Sequence, residues 1–454
     1  MSDPLKLLVD PRFGIVTALE RRMHPPEVPP ALISYTARVA DTRRLGAWQG
    51  DRVALGSAFW DEDRARRAAL GEAVERTCGN FVPAGLLRAS HRDLRTAGEP
   101  ALDPAAMVLY ADSQYDHRGF PFVRFTDDLR VLWTTGRDLA TGEAVRVPAS
   151  FVYINYYGGA LAGEPRTNFV LYSGIATGPN REAAEEAALE ELIERDATMI
   201  WWMSGSPAVG IPLESAPMVR AALAHPADHG TLHHHLIQIR TPFDVPVVGA
   251  LVQDTELSLI GLGVACRPDP GQAALKALVE AIHLRCFSRQ MLDPGGSVWR
   301  SMRSGILDPR AYKPFRADRA YRDAYRADFR DVTDLGAQSQ IYLDPRMHVH
   351  ADRILHPAAW APLDRLPAVP GRAAYRQRLA ARGFRAISVD VTTPDVQAAG
   401  LCVVRVIVPG LYPNAPAAFP FLGGRRLYEE PAALGWLPAP LTEADLVRVP
   451  LPHT

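Results

Sequence analysis

Cysteine is scarce in this chain of 454 residues. Its four, Cys78, Cys266, Cys286 and Cys402, lie far apart and form no CxxC. That spacing encodes neither a zinc knuckle nor a disulfide framework, and a reducing cytoplasm is the compartment expected. Long apolar runs are missing as well, since none approaches the ~20 residues needed to cross a bilayer. The opening MSDPLKLLVDPRFG has no apolar h-region, so no signal peptide is expected. Neither sign of charge dominates: 50 Lys and Arg stand against 51 Asp and Glu. The chain therefore has no global field to recruit nucleic acid or anionic lipid. The glycine pairs at 261–263 and 423–424 lack the GxGxxG or GxxxxGK frame, which excludes the Rossmann and P-loop modes of holding phosphate.

What is present suits a globular protein: 47% hydrophobic and 22% charged residues, in a length that fits one elaborate catalytic unit or two to three subdomains. Residues 1–60 are rich in Pro and Arg and include a strand-like ALISYTARVAD. From Asp61 to Cys78 apolar and acidic residues fall at three- and four-residue steps, which predicts a helix. Strands and turns are expected over 107–157. SGIATGPNREAAEEAALEELIERDATMIWWM predicts a glycine turn and then a helix of about six turns. Asn180 is its N-cap, and Glu182 and Glu185 sit in the first turn. LIQIRTPFDVPVVGALVQD predicts two strands around a turn, and residues 261–292 again predict strand, turn and helix. An amphipathic helix with an Asp318–Arg322 pair is expected over 310–331, before a proline-rich end. These three strand–turn–helix units point to an α+β fold with helices packed on mostly antiparallel sheet. The division expected is an N-terminal segment, 1–60, and a catalytic domain, 61–454.

Two of the predicted helices echo each other. ALGEAVERTC (69–78) and ALEELIERDA (188–197) share the frame Ala-Leu, one residue, Glu, two residues, Glu-Arg. Glu72 and Glu75 fall on one helix face, as do Glu191 and Glu194, with Arg76 and Arg195 about 100° further round. Like charges so spaced repel unless a cation sits between them. Mg²⁺ takes oxygen ligands and bridges carboxylates to phosphates, while arginine binds phosphate oxygens. A solvated helix face is the alternative reading of each copy alone. Glu280 and His283 form a Glu-x-x-His step, but di-iron bundles use that step twice and here it occurs once. His233–His235 read as an exposed loop or strand start. His348, His350 and Asp352 alternate as on one strand face and read as ordinary polar decoration. Cys78, Cys266 and Cys286 read as core residues.

Together with ALKALVEAIHLR (274–285), VPGLYPNAPAAFPFLGGRRLYEEP (408–431), LVDPRFGIV (8–16) and QYDHRGFPF (114–122), these stretches make the chain resemble the YcaO superfamily. The branch it is most similar to is the cyclodehydratase or D-protein branch, which builds azoline rings in ribosomally made peptides. The resemblance implies a cofactor set of ATP and Mg²⁺. It implies metal contacts from Glu72, Glu75, Glu191 and Glu194, and nucleotide contacts from Arg76, Arg195, Glu280 and Arg285. It departs from the pattern at Ala68, where Ser is frequent; at Ala183, where Glu is usual; and at His283, where Gln is usual. Azoline-forming relatives often end Pro-x-Pro-x-Pro with the tail at the active site; here the run is Pro450-Leu451-Pro452-His453-Thr454. Pro452 and His453 are thus tail candidates for a catalytic role. The partners implied are a precursor peptide, a separate E1-like leader-binding protein, a flavin dehydrogenase of the same pathway and a second copy in a homodimer.

Overall fold

The computed structural model describes residues 4–45, 52–224 and 230–453. Strands β1 (Val16–Arg21), β2 (Leu32–Val39) and β3 (Val53–Phe59) form a three-stranded antiparallel sheet, on which helix α1 (Glu62–Asn80) lies. Asp61 caps α1 by accepting the Arg64 N–H. A second sheet follows, with β4 (Leu87–Ala89), β5 (Val131–Asp138), β6 (Ala144–Pro148) and β7 (Ile175–Gly178). Helix α2 (Arg181–Ser204) comes next, capped by Asn180 as its sequence predicts and closed by Gly205 in the left-handed region. Strands β8 (Val209–Ile211), β9 (Leu232–Gln238), β10 (Val247–Asp254) and β11 (Leu259–Cys266) lead into helix α3 (Pro270–Gln290). Later elements complete the sheets: β12 (Ala359–Trp360) beside β8, then helix α4 (Ala373–Ala381), then β13 (Ile387–Asp390) and β14 (Cys402–Ile407).

The second sheet runs β4-β5-β13-β14-β7 with β6 on β5, and the third runs β11-β10-β9-β8-β12. Among the described residues every named strand pair is antiparallel except β8–β12. This is the α+β arrangement expected.

Each of the three long helices lies on the strand that feeds it, and the units close a ring. α1 packs on β3 and reaches β7; α2 packs on β7 and reaches β11; α3 packs on β11 and reaches β3. Glycine permits the closeness. A Cβ on Gly56 of β3 would stand 1.9 Å from the Ala69 nitrogen, and one on Gly263 of β11 would stand 2.2 Å from the Ala277 carbonyl oxygen. The ring sets the acidic faces of three helices around one space.

Several local expectations are corrected. Residues 310–331 do not form one amphipathic helix; they hold a single turn at Pro309–Ala311 and a short helix at Tyr321–Ala324. Arg319 and Phe329 have φ of 56°, which breaks the α ladder. The charges pair two residues apart, Arg316 with Asp318 and Arg326 with Asp328, instead of Asp318 with Arg322. His348 and His350 lie on a 3₁₀ segment, Pro345–Ala351, and not on a strand. Glu185 is past the first turn of α2 and is buried between Arg137 and Arg376. His233–His235 do open a strand, β9.

Candidate active site

The three helices enclose a cavity of about 650 Å³, a size suited to a small-molecule ligand. Glu72, Glu75 and Arg76 line it from α1, Glu190, Glu191, Glu194 and Arg195 from α2, and Lys276, Glu280 and His283 from α3. The helical echo in the sequence thus becomes a facing pair of acidic stripes.

Three of these carboxylates are pinned by backbone N–H groups of β7, the turn before it, and β11. Thr177 N–H donates to Glu75 Oε1 at 2.7 Å, Gly174 N–H to Glu191 Oε2 at 2.9 Å and Cys266 N–H to Glu194 Oε2 at 3.0 Å. One oxygen of each is fixed by the fold, which orients the other. The charges form two groups. Glu75 faces Glu72 and Glu191; Glu194 faces Glu280. Arg195 lies between the groups, 3.3 Å from Glu194 Oε1 and 4.0 Å from Glu191 Oε1.

Burial, reinforced by Glu72, pushes the Glu75 carboxyl up to about 8. Burial also raises Glu191, and it raises Glu194 to about 7. Glu280 goes the other way: against the push of burial, Lys276, Arg195 and His453 hold it low. Lys276 bridges to its Oε1 at 3.0 Å, while its Oε2 is buried with no partner.

This donor set fits Mg²⁺ and a polyphosphate. Carboxylates that resist ionisation because they are buried, together with an orphaned Glu280 oxygen, are what a hard cation would satisfy. Among the described residues the cavity oxygens do not converge in threes within 4.8 Å. That suits Mg²⁺, which keeps waters and shares its shell with phosphate oxygens. The one group that does converge, His91, Asp103 and Asp127, lies outside the cavity; there Asp127 pairs with His91 and Arg95, and Asp103 caps Ala105.

Segment 447–453 threads to this cavity. Met203 O, Trp202 Nε1, Tyr342 Oη, Leu262 N and Gln338 Nε2 bind its backbone in turn, at 2.7–3.1 Å. Pro452 supplies the carbonyl that Leu262 binds. His453 lines the cavity, with Nδ1 2.9 Å from the Leu262 carbonyl and Nε2 against Arg195 Nη1. A carbonyl only accepts and a guanidinium only donates, so Nδ1 carries the proton and Nε2 is bare. Burial, then Arg195, holds its pKa down to about 4, so the ring is neutral at pH 7.

Arg285 is not brought into the cavity. It stands five residues from Glu280, about 140° round the helix, and donates to Asp254 at 2.9 Å and Glu27 at 2.7 Å. Arg76 is at the cavity wall, turned back onto Glu72 at 2.7 Å. His283 donates to or accepts from Ser57 Oγ at 2.9 Å, within a chain that continues through Ser34 to His24. Sequence reasoning missed Lys276, although its four-residue step to Glu280 is a readable helix pair. It also missed Arg267 and Arg372, whose distance along the chain gave no signal.

A family profile described as YcaO cyclodehydratase, ATP- and Mg²⁺-binding, matches residues 60–412. A Rhizobium leguminosarum bv. trifolii relative, an uncharacterised protein from the tfuA 3′ region, is 25% identical over 443 residues, covering 92% of this chain and 87% of its own length. A heterocyclase solved with substrate and cofactor superposes with a TM-score of 0.71 at 21% identity; it covers 99% of this chain, which spans 57% of the heterocyclase's own. The YcaO protein of Methanopyrus kandleri bound to AMPPCP and Mg²⁺ gives a TM-score of 0.54 at 20% identity, with 87% of this chain and 86% of that one covered. The E. coli microcin synthetase McbBCD complex gives 0.54 at 12%, with 87% and 88% covered. At these identities the solved structures establish the fold, and the profile establishes the kinship. The chain belongs to the YcaO cyclodehydratase family, with ATP and Mg²⁺ as cofactors.

Proposed function

We propose that the protein activates the backbone amide oxygen of a ribosomally made peptide with ATP and closes Cys, Ser or Thr onto the preceding carbonyl. The product is a thiazoline or an oxazoline. The observation that supports this is the ring of Glu72, Glu75, Glu191, Glu194 and Glu280, with Arg195 and Lys276 among them, around one cavity.

In this reading the substrate thiol or hydroxyl adds to the carbonyl carbon as its proton passes to solvent, and the C=O π electrons move onto oxygen. The resulting oxygen attacks the γ-phosphorus of ATP, and ADP leaves. Phosphate is then expelled as the amide nitrogen loses its proton and the C=N bond forms. Amide oxygen is a poor leaving group and phosphate a good one, so the protein's work is positioning and charge neutralisation. Glu72, Glu75, Glu191 and Glu194 would hold Mg²⁺, which would supply Lewis acidity toward the phosphate oxygens. Arg195 and Lys276 add fixed positive charge, and Arg76 is at hand once released from Glu72. Arg285 acts from outside the cavity, bracing α3 through Asp254 and Glu27. His453 orients Arg195 and does not take the proton, since its lone pair is engaged and its basicity is low.

The heterocyclase solved with its substrate and the microcin synthetase complex, solved also with pro-MccB17 bound, support a peptide substrate and a partner protein; that the partner recognises the leader is part of this reading. A second reading, thioamide or amidine (macrocycle) formation, uses the same activation with another nucleophile. It is favoured by the 450–454 run, which carries Thr454 where the azoline-forming pattern has its third proline. The test is titration of Mg-ATP into wild type and Glu191→Gln, followed by product mass with a precursor peptide. Wild-type binding that weakens about 10–100-fold in the variant supports the site. Undiminished binding in the variant sinks it. Loss of one water per residue with the Cys, Ser or Thr side chain consumed means an azoline; loss of water with that side chain still free means an amidine; exchange of oxygen for sulfur means a thioamide.

A further inference from the structure

At one end of the cavity two guanidinium groups share one buried carboxylate. Glu190 is 2% exposed and accepts four hydrogen bonds. They come from Arg372 Nε and Nη2 at 3.1 and 3.2 Å, Tyr375 Oη at 3.0 Å and Arg267 Nη1 at 2.7 Å. Arg372 and Tyr375 alone engage both carboxylate oxygens, so Arg267 is a second cation on one anion. Its Nη1 also binds the Cys266 carbonyl, and its Nε is buried with no partner. Glu190, Arg267 and Arg372 all line the cavity.

A purely structural ion pair at Glu190 needs only one guanidinium, and burying a second is costly unless other anions face it. The position of the second guanidinium is telling. Arg267 follows Cys266, whose N–H holds Glu194, and it faces Glu194 and Glu280 as well as Glu190. The pair therefore adjoins the acidic ring on its α2 side, where three different chain segments deliver Glu190, Arg267 and Arg372. Guanidinium groups match tetrahedral oxyanions through paired N–H donors. Glu190 holds both in place without cancelling them.

We propose that Arg267 and Arg372, held by Glu190, form an oxyanion subsite that takes the phosphoryl group, either on the nucleotide before transfer or as phosphate after release. This rests on the nucleotide reading above. The bonds are those already given: the P–O bond to ADP breaks, the P–O bond to the amide oxygen forms, and the C–O bond then breaks to free phosphate. The subsite contributes charge and N–H donors to that group and exchanges no proton with it.

Arg372 is the residue to change. Its side chain is 40% exposed, and Glu190 keeps Arg267 and Tyr375 when it is removed. Calorimetry with wild type, Arg372→Ala and Arg372→Lys would use three probes with Mg²⁺: a non-hydrolysable ATP analogue, ADP, and inorganic phosphate added to the ADP complex. Arg372→Ala is expected to weaken the analogue, or phosphate on the ADP complex, by roughly tenfold or more, the loss of one charged hydrogen-bonding group, while ADP affinity stays unchanged. Arg372→Lys recovers part of the loss. Weakening of the analogue assigns the group before transfer, and weakening of phosphate assigns it after release. The proposal is overturned if neither probe weakens, or if ADP weakens equally, which would mean that Arg372 only shapes the cavity. Failure of wild type to bind Mg-ADP would instead overturn the nucleotide reading itself.

Discussion

Arg195 Nη1 donates to His453 Nε2 across 258 residues of sequence. The contact ties segment 447–453 to the arginine that separates the two acidic groups of the cavity. With Leu262 O holding Nδ1–H, the imidazole is locked in one tautomer and fixes the guanidinium. Arg195 also stands 3.3 Å from Glu194, a contact that does not run through His453.

His453→Ala is therefore expected to leave Mg-ATP affinity nearly unchanged and to lower turnover by roughly tenfold, as one charged hydrogen bond is lost. Glutamine keeps an acceptor in reach, so His453→Gln should retain most of the turnover. Steady-state kcat against KM for ATP reads this split. Equal losses in Ala and Gln would make His453 a proton acceptor and not an orienting group.

The metal-free protein should lose stability as pH rises. Glu75 is raised from 4.5 to about 8 when folded. Below 4.5 both states hold the proton. Above it the unfolded chain releases the proton first, so stability falls until about 8 and then levels off. Glu194, raised to about 7, adds to the same slope. Mg²⁺ binds the ionised form, so the stabilisation it gives should grow across that window. Thermal melts at several pH values with and without MgCl₂ measure it; a flat metal-free profile would count against the acidic ring.

Much of this was legible in the chain because it is local. The Glu-x-x-Glu-Arg echo, the Asn180 cap and the strand–turn–helix units are set by residues a few positions apart. Lys276 was equally local and went unread. The rest depends on closure of the ring. Arg267, Arg372 and Glu190 meet from three segments, and no periodicity links them. Arg285 looked like a nucleotide ligand in one dimension and is turned away in three. The 310–331 stretch misled because its charge spacing suits a helix, while backbone at Arg319 and Phe329 does not.

Arg405 is 1% exposed on β14 and has carbonyls, not carboxylates, as its hydrogen-bond partners. It donates to Val152 O at 3.0 Å and Leu171 O at 2.7 Å, and to Tyr172 O and Ser173 O. It thereby holds the segment whose next residue, Gly174, pins Glu191. Burial brings its pKa down to about 9, with Glu191 opposing. Arg405→Met should cost about 3 kcal/mol or more, since several buried carbonyls lose their donor. Mg²⁺ affinity should fall about 10–100-fold, the usual effect of loosening a ligand's support. Urea unfolding and a Mg²⁺ titration separate the two effects, and a variant with intact Mg²⁺ affinity would deny Arg405 its positioning role.

The closeness of helix to strand makes its own prediction. A Cβ on Gly263 would meet the Ala277 carbonyl oxygen at 2.2 Å and the Ala281 nitrogen at 2.5 Å. Both are backbone atoms, so no side chain can swing aside and α3 itself must move. Glu280 lies between those two alanines, so the displacement carries a cavity carboxylate with it. Gly263→Ala is expected to cost about 1–3 kcal/mol or more by overpacking and to weaken Mg-ATP binding. Gly71 on α1 is the control, because a Cβ there meets nothing within 4 Å. Gly71→Ala should stabilise by about 0.5–1 kcal/mol, the ordinary gain of alanine over glycine inside a helix. Chemical denaturation of both variants beside wild type decides the matter: opposite signs support the close-packed ring, and a neutral Gly263→Ala would mean that α3 rides further from β11.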